Sequence, residues 1–367
     1  MSFLVLDSEQ NAAARLSQQL KNLGFNSVTT HDFRVAHDLC DKGGVEVLVY
    51  FTFQEMDALA DIRDDVYRVL ATTEALDTNQ ILTSMRAGCR DCWHLPIDDT
   101  SLAERVETLL TSRRNLVVSL NNELSNARTE LERDQRAGQH IQMGMLPPNP
   151  MVIGHYKLQH RVIPSLILSG DFVDYFQITH RHFACYVADV AGHGASSAFV
   201  TVLLKNFSRR LRREYRSSML RNPGEVLAWM NNELLEQQID KHVALFFAIV
   251  DLETNRLYFS NAAHFPPALV VQGGRTIRLE RPGKPVGLFP DVEFASQHID
   301  LEEGARLVVF TDGVLELMQE ESLQAKEDRI ADVATRVGTI DELWNELELA
   351  SLGPDDVSCL VVSHEQM

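Results

Sequence analysis

Short acidic or glycine-bearing motifs, several directly after apolar strand-like runs, recur through the C-terminal half of the chain and constrain its fold more than any bulk property. In order they read Ser169-Gly170-Asp171, Asp189-Val190-Ala191-Gly192-His193-Gly194, Asn261-Ala262-Ala263-His264, Thr311-Asp312-Gly313 and Asp355-Asp356. Carboxylates at strand ends can converge on one point, and converging carboxylates bind hard divalent cations. The chemistry they point to is metal-dependent hydrolysis.

Bulk properties bound this reading. A chain of 367 residues predicts two or three domains. A formal net charge of -18 disfavours generic nucleic-acid binding and suits metal cations or a basic partner surface. The N-terminus has no basic region before an apolar stretch, so no secretory leader is expected. No run approaches the roughly 18 apolar residues of a membrane span. Five cysteines without a framework pattern predict a reducing, cytoplasmic setting. Cys89 and Cys92 form a lone CxxC; without a second pair they read as small strand residues rather than zinc ligands.

Residues 1–112 alternate strand and helix signals, such as the apolar runs Phe3–Leu6, Val45–Tyr50 and Tyr67–Leu70 with the amphipathic stretch Asn11–Leu23. That alternation predicts a doubly wound parallel α/β sheet. The segment resembles a response-regulator receiver domain at Ala87-Gly88, at Leu95-Pro96 and around Thr72. It departs from that family where phosphorylation chemistry would sit. The acidic pair is reduced to Asp7-Ser8, the acceptor position falls near Tyr50 or Phe51, and the lysine before Pro96 is Leu95. The expectation is a pseudo-receiver that senses a partner or dimerises.

Residues 113–147 predict a helical linker. Apolar positions recur at steps of three and four through Val117, Leu120, Leu124, Ala127, Leu131, Ile141 and Met145, with Asp134 and Gly138 as weak positions. Pro147-Pro148 ends the pattern. From Val117 such a stalk would be roughly 45 Å long, and a parallel homodimer through it is expected.

Residues 148–367 carry short strand signals in hairpin order with helices between groups, among them Ala195–Tyr215, Pro223–Leu235 and Ile340–Leu349. The expected fold is α+β, a four-layer α-β-β-α sandwich with two antiparallel sheets. Over about residues 140–364 the chain resembles the PPM (protein phosphatase 2C-like) serine/threonine phosphatases, in the bacterial branch of the sporulation stage II protein E phosphatase. The matching elements are Ser169-Gly-Asp171-Phe-Val-Asp174, Asp189-Val-Ala-Gly-His-Gly194, Asn261-Ala-Ala-His264-Phe-Pro-Pro267, Gly283-Lys-Pro-Val-Gly-Leu288, Thr311-Asp-Gly313-Val-Leu-Glu316 and Asp355-Asp356-Val-Ser358. In the third, Ala263 replaces the usual glycine.

The resemblance implies two Mn²⁺ or Mg²⁺ ions and a metal-activated hydroxide that attacks phosphorus in line. It implies that Asp189 bridges the ions, that the Val190 carbonyl completes one shell, that Asp312 and Asp355 hold one ion and that Asp171 supports the other. Asp174 is a weaker candidate that would act through water, and His193 is a candidate general acid, although a structural loop role suits it better. Asp355 is preferred to Asp356 because eukaryotic relatives place the ligand first in this pair. Gly192, Gly194 and Gly313 are expected where the backbone turns sharply, and His264 reads as a loop anchor. The basic run from Lys205 to Arg216 reads first as a solvated helix face, then as a docking site for an acidic partner.

The function implied is a cytoplasmic bacterial signalling phosphatase for phosphoserine or phosphothreonine. Its substrate would be a phosphorylated anti-sigma-factor antagonist that, once dephosphorylated, captures an anti-sigma kinase; nucleic acid and membrane are not expected partners. The competing reading is a non-catalytic adaptor that binds a sigma or anti-sigma factor and controls its turnover. Retention of Asp171, Asp189, Asp312 and Asp355 favours catalysis.

Overall fold

A computed structural model describes residues 2–6, 10–51, 62–63, 65–192, 194–349 and 353–365. The chain forms two compact units, residues 1–126 and 127–367.

The first unit contains β1 (Ser2–Leu6), α1 (Gln10–Asn22), β2 (Asn26–Thr30), α2 (Phe33–Asp41), β3 (Val47–Tyr50), β4 (Tyr67–Thr72), α3 (Thr78–Arg86), β5 (Cys89–His94) and the first part of α4 (Asp99–Met145). The strands are parallel in the order β2-β1-β3-β4-β5, the doubly wound arrangement of receiver-like domains. Phe3, Val5, Val47, Val49 and Val69 pack against α1 and α4, whereas Leu4, Leu6, Leu48 and Leu70 pack on the other face with Ala36 and Cys40 of α2. Burial on both faces explains why the central strands read as unbroken apolar runs. The edge strand β2 escaped the sequence reading because Val28 is its one apolar residue, and that valine is exposed.

Tyr50 ends β3 and is fully buried, so the position of a receiver's phospho-acceptor holds a packed phenol. Burial, with Cys89 alongside, pushes its pKa up. Leu95, in the place of the receiver lysine, is buried in the core beside α1 and α4. Asp7 and Ser8 lie outside the described residues. Incubation with acetyl phosphate is expected to leave residues 1–112 unlabelled in intact-mass and peptide spectra; a single acid-labile phosphate there would overturn the pseudo-receiver reading.

The last helix of the receiver-like unit and the predicted linker are one element, α4, of 47 residues. At 1.5 Å per residue that is about 70 Å. Asp98 caps its start by accepting from the Ser101 amide and hydroxyl. The apolar seam stays in solvent on the single chain: Leu124 is 70% and Ile141 66% exposed.

The second unit adds β6 (Met151–Ile153), β7 (Tyr156–Ile163), β8 (Asp171–Gln177), β9 (His182–Val190), α5 (Ala195–Glu214), α6 (Pro223–Glu236), β10 (Val243–Asp251), β11 (Arg256–Ala262), β12 (Leu269–Gln272), β13 (Arg275–Arg278), β14 (Gln297–Asp300), β15 (Arg306–Phe310), α7 (Gly313–Leu317), α8 (Leu323–Arg336), α9 (Ile340–Glu346) and β16 (Val357–His364). One antiparallel sheet has the order β14-β11-β10-β9-β8 and the other β13-β12-β15-β16-β7-β6. Val173, Phe183, Val187, Phe246, Val250, Val309, Leu360 and Val362 fill the space between the sheets. The outer face of the first sheet packs on α5 and α6, and that of the second on α7, α8 and α9. Four layers, α-β-β-α, result. Both faces of β8 and β9 are therefore buried, one against helices and one against the opposite sheet.

Candidate metal centre

Antiparallel pairing brings the start of one strand beside the end of the next, and this places the motif aspartates at one end of the inter-sheet core. Asp171 opens β8 and lies directly opposite Asp189, near the end of β9. Odd-numbered residues of both strands face the other sheet, as Val173, Tyr175, Cys185 and Val187 do, so Asp171 and Asp189 share that face. From the second sheet, Thr311 follows β15 and donates its hydroxyl to Asp171 Oδ2 at 2.7 Å. The Ser358 amide donates to the same Thr311 oxygen at 2.8 Å. Thr311 thus joins the two sheets at the site.

Electrostatics links the carboxylates to one another. Burial, then the charge of Asp189, raises the Asp171 pKa well above the ordinary carboxylate range, against the hydroxyl of Thr311. Asp189 is pushed up to about 7 by burial and then by Asp312, Asp355 and Asp356. Burial and then Asp355 raise Asp312, and burial with Asp355 and Asp312 raises Glu316. Among the described residues, no arginine or lysine lowers Asp171, Asp189 or Asp312. Carboxylates gathered in a poorly solvated place without a counter-charge are costly, and a bound divalent cation would supply that charge. The donors are hard oxygens, as Mg²⁺ and Mn²⁺ prefer. Among the described residues, no three Asp, Glu, His or Cys side chains already close around a single point. The Val190 and Gly192 carbonyl oxygens crowd the residue before Asp171: each lies 3.1 Å from where a Cβ on Gly170 would stand.

Asp355 and Asp356 have different surroundings. Asp356 is 4% exposed. Its Oδ1 accepts from the Ser165 amide at 2.6 Å and hydroxyl at 2.9 Å, and its Oδ2 from the Ser169 hydroxyl at 3.1 Å and the Gly170 amide at 2.6 Å. Asp355 makes one short-range bond, from the Asp356 amide to its Oδ1, and is half-buried. Asp312 is exposed at the start of α7 and makes no capping bond with its side chain.

The structure does not bring Asp174 to this group. Three residues after Asp171 on a strand, it faces the helix layer instead, where Lys205 Nζ donates to its Oδ1 at 2.9 Å. His193 lies outside the described residues. Half of the basic run from Lys205 to Arg216 is taken up in pairs: Lys205 with Asp174, Arg210 with Glu233 and Glu214, Arg216 with Glu225. Gly192 and Gly194 have left-handed backbones, with φ of 80° and 82°. Gly313 is there for a different reason: a Cβ on it would stand 2.0 Å from the Asp356 carbonyl oxygen.

Three contributors escaped the sequence reading. Glu316 stands one helical turn after Asp312, a spacing that could have flagged it. Lys241, remote in sequence, donates its Nζ to the Ala191 carbonyl at 2.8 Å and sits against Gly192. Ser169, inside a motif but not singled out, donates to Asp356 and accepts from the Asp171 amide at 3.1 Å.

The Asn261–His264 loop is an anchor. Asn261 Oδ1 accepts from the His264 amide at 2.7 Å, and Asn261 Nδ2 donates to the His264 carbonyl at 3.1 Å. Ala263 is held at φ 57°, where a Cβ is strained. Ala263→Gly is therefore expected to stabilise the unit by about 1 kcal/mol in chemical denaturation; a loss of stability would contradict the strain. His264 is buried, and burial pushes its pKa down to about 4, opposed weakly by the Phe310 backbone. Burial does the same to His160. Tyr175 gives its hydroxyl proton to the Pro148 carbonyl, so the His160 Nδ1 at 2.9 Å is the donor to it and carries a hydrogen. Unfolded histidine titrates near 6.5, so between about 6.5 and 4 the unfolded chain binds more protons. Melting temperature should fall as pH drops through that window, and His160→Gln should flatten the fall; an unchanged slope would exclude His160 as its source.

The second unit has the fold of PP2C-type domains. The SiaA PP2C domain of Pseudomonas aeruginosa superposes with a TM-score of 0.53 at 17% identity, covering 65% of this chain and 98% of that one. The RsbU and RsbW domains of a Mycobacterium tuberculosis protein give 0.50 at 21% identity, covering 60% and 63%. The family model of stage II sporulation protein E (SpoIIE) matches residues 179–365, just over half of the chain, which belongs to that family. Phosphoserine phosphatase RsbP of Bacillus subtilis is 27% identical over 197 residues, 52% of this chain and 46% of the relative. Phosphoserine phosphatase RsbU of the same organism is 25% identical over 169 residues, 45% and 48%. The chain spans about half the length of these curated relatives.

Proposed function

We propose that the second unit is a Mn²⁺- or Mg²⁺-dependent phosphatase for phosphoserine or phosphothreonine in proteins. The observation that carries this is the placement of Asp171 directly opposite Asp189 at one end of the inter-sheet core, with Asp312, Asp355 and Asp356 near enough to act on Asp189. Asp189 would hold both ions, the Val190 carbonyl would complete the shell of one, Asp312 and Asp355 would hold one of them, and Asp171 would support the other. Once bound, a pair of such ions supplies hydroxide at neutral pH and offsets charge on the phosphoryl oxygens. Thr311 holds Asp171 in orientation, and the saturated Asp356 keeps the Ser165–Gly170 segment in place. Asp174, paired with Lys205, braces α5 against β8. Hydrolysis of p-nitrophenyl phosphate and of a phosphoserine protein, with and without added Mn²⁺, tests the reaction.

The names of the Bacillus relatives, both phosphoserine phosphatases, support the same chemistry here. The partner we propose is a phosphorylated anti-sigma-factor antagonist in a cytoplasmic partner-switching pathway. No helix among the described residues is long and apolar enough to cross a membrane. The exposed seam on α4, with Leu120, Leu124 and Leu131 at heptad-like spacing, supports pairing with a second copy through residues 113–147. On this reading residues 1–112 form a pseudo-receiver module, and 148–367 the phosphatase.

A further inference from the structure

The C-terminal end of α4 touches the candidate site through one side chain. Gln142 is 5% exposed. Its Nε2 donates to the Ser169 carbonyl at 2.7 Å, and its Oε1 accepts from the Ser169 amide at 3.1 Å. The second Nε2 hydrogen goes to Thr201 Oγ1 on α5 at 3.0 Å. Both amide hydrogens and the carbonyl oxygen are thus engaged. A side chain that satisfies the N–H and C=O of one residue does what a neighbouring β-strand would do, but from a helix. One turn earlier, Gly138 faces Leu168, whose Cδ2 lies 3.4 Å from where a Cβ would stand, an ordinary packing distance.

Ser169 leads to two motifs at once. Its hydroxyl donates to Asp356 Oδ2 and accepts from the Asp171 amide. Asp356 then takes the Gly170 and Ser165 amides, and its own amide donates to the Asp355 carboxylate. A displacement of Ser169 would move the start of β8, which carries Asp171, and disturb the Asp355-Asp356 pair entering β16. Free backbone groups at residue 169 would favour such a displacement, because buried unpaired amides are costly.

We propose that Gln142 is a positioning residue: it sets the Ser169–Gly170 backbone so that Asp171 and Asp355, each assigned to its own ion, are both in place to bind divalent cations. This rests on the phosphatase reading of those carboxylates. It does not place Gln142 in contact with substrate.

The test uses the full-length chain with Gln142→Ala and Gln142→Glu. Glutamate keeps the length and one acceptor but loses both donors. Val250→Ala, at the far end of the inter-sheet core, is a control for general loss of stability. Mn²⁺ affinity is read by calorimetric titration, and amide exchange is followed by mass spectrometry in peptides covering residues 165–171. Both Gln142 variants are expected to bind Mn²⁺ about 10- to 100-fold more weakly, the range for residues that orient metal ligands. Turnover at saturating Mn²⁺ should stay within about threefold of wild type, a separation that a generally damaged fold would not give. Exchange at 165–171 should accelerate while the Val250→Ala protein keeps it slow. Unchanged exchange there in both Gln142 variants would overturn the proposal, as would an equal loss of Mn²⁺ affinity in the Val250→Ala control. A wild-type protein that neither binds Mn²⁺ nor releases phosphate would count against the phosphatase reading, and the exchange data would still decide the role of Gln142.

Discussion

Asp312→Ala is expected to give a folded protein that has lost Mn²⁺-dependent phosphatase activity by at least about 100-fold. Replacing residues that merely orient metal ligands costs about 10- to 100-fold, so removing a ligand should cost no less. The side chain is exposed, caps nothing and has a pKa raised by burial and Asp355. Removing it therefore takes away no helix-capping bond, only contacts with the backbone at Asp312 and Gly313, and relieves like-charge repulsion in the metal-free protein. Thermal unfolding without divalent ions should be unchanged or slightly improved, while the stabilisation that added Mn²⁺ gives wild type should shrink. This opposite movement of activity and metal-free stability separates a ligand from a structural residue. Wild-type protein without metal-dependent turnover on p-nitrophenyl phosphate or a phosphoserine protein would instead favour the adaptor reading.

Asp356→Ala should show the reverse balance, with the larger loss in stability. Its carboxylate is buried and accepts from two amides and two hydroxyls. Truncation strands the Ser165 and Gly170 amides, at about 1–3 kcal/mol for each donor left unpaired. A loss of about 3 kcal/mol or more is expected, which lowers the melting temperature of a unit this size by roughly 6–12 °C. Asp355→Ala next to it should change melting little, because among the described residues that carboxylate accepts only the neighbouring Asp356 amide. Equal melting of the two variants in circular dichroism would remove the distinction drawn between the adjacent aspartates.

Much of the fold was legible in the chain. The apolar runs at Val47–Tyr50 and Tyr67–Thr72 are strands because both faces of the parallel sheet are covered. The prolines at 147 and 148 do stop α4, whose helix ends at Met145. Among the edge strands, β2 and β14 were not legible. Both are mostly polar, since an edge strand has solvent on one side and packs little. The helices α2 and α8 also went unread, although both are capped by their own sequence, at Asp32 and Ser322.

The candidate site divides along the same line. Motif order alone marked Asp171, Asp189, Asp312 and Asp355, because a turn or a strand end is written in a few adjacent residues. That Asp174 faces α5 follows from a strand period of two, once the strand boundaries are known. Nothing local distinguishes Asp355 from Asp356, or draws attention to Gln142 and Lys241. Their roles come from partners far along the chain: Asp356 meets Ser169 across 187 positions, and Gln142 meets Thr201 across 59. Such meetings depend on the register of two sheets and the seating of two helices, which hydrophobic burial over the whole unit determines and no short stretch of residues encodes.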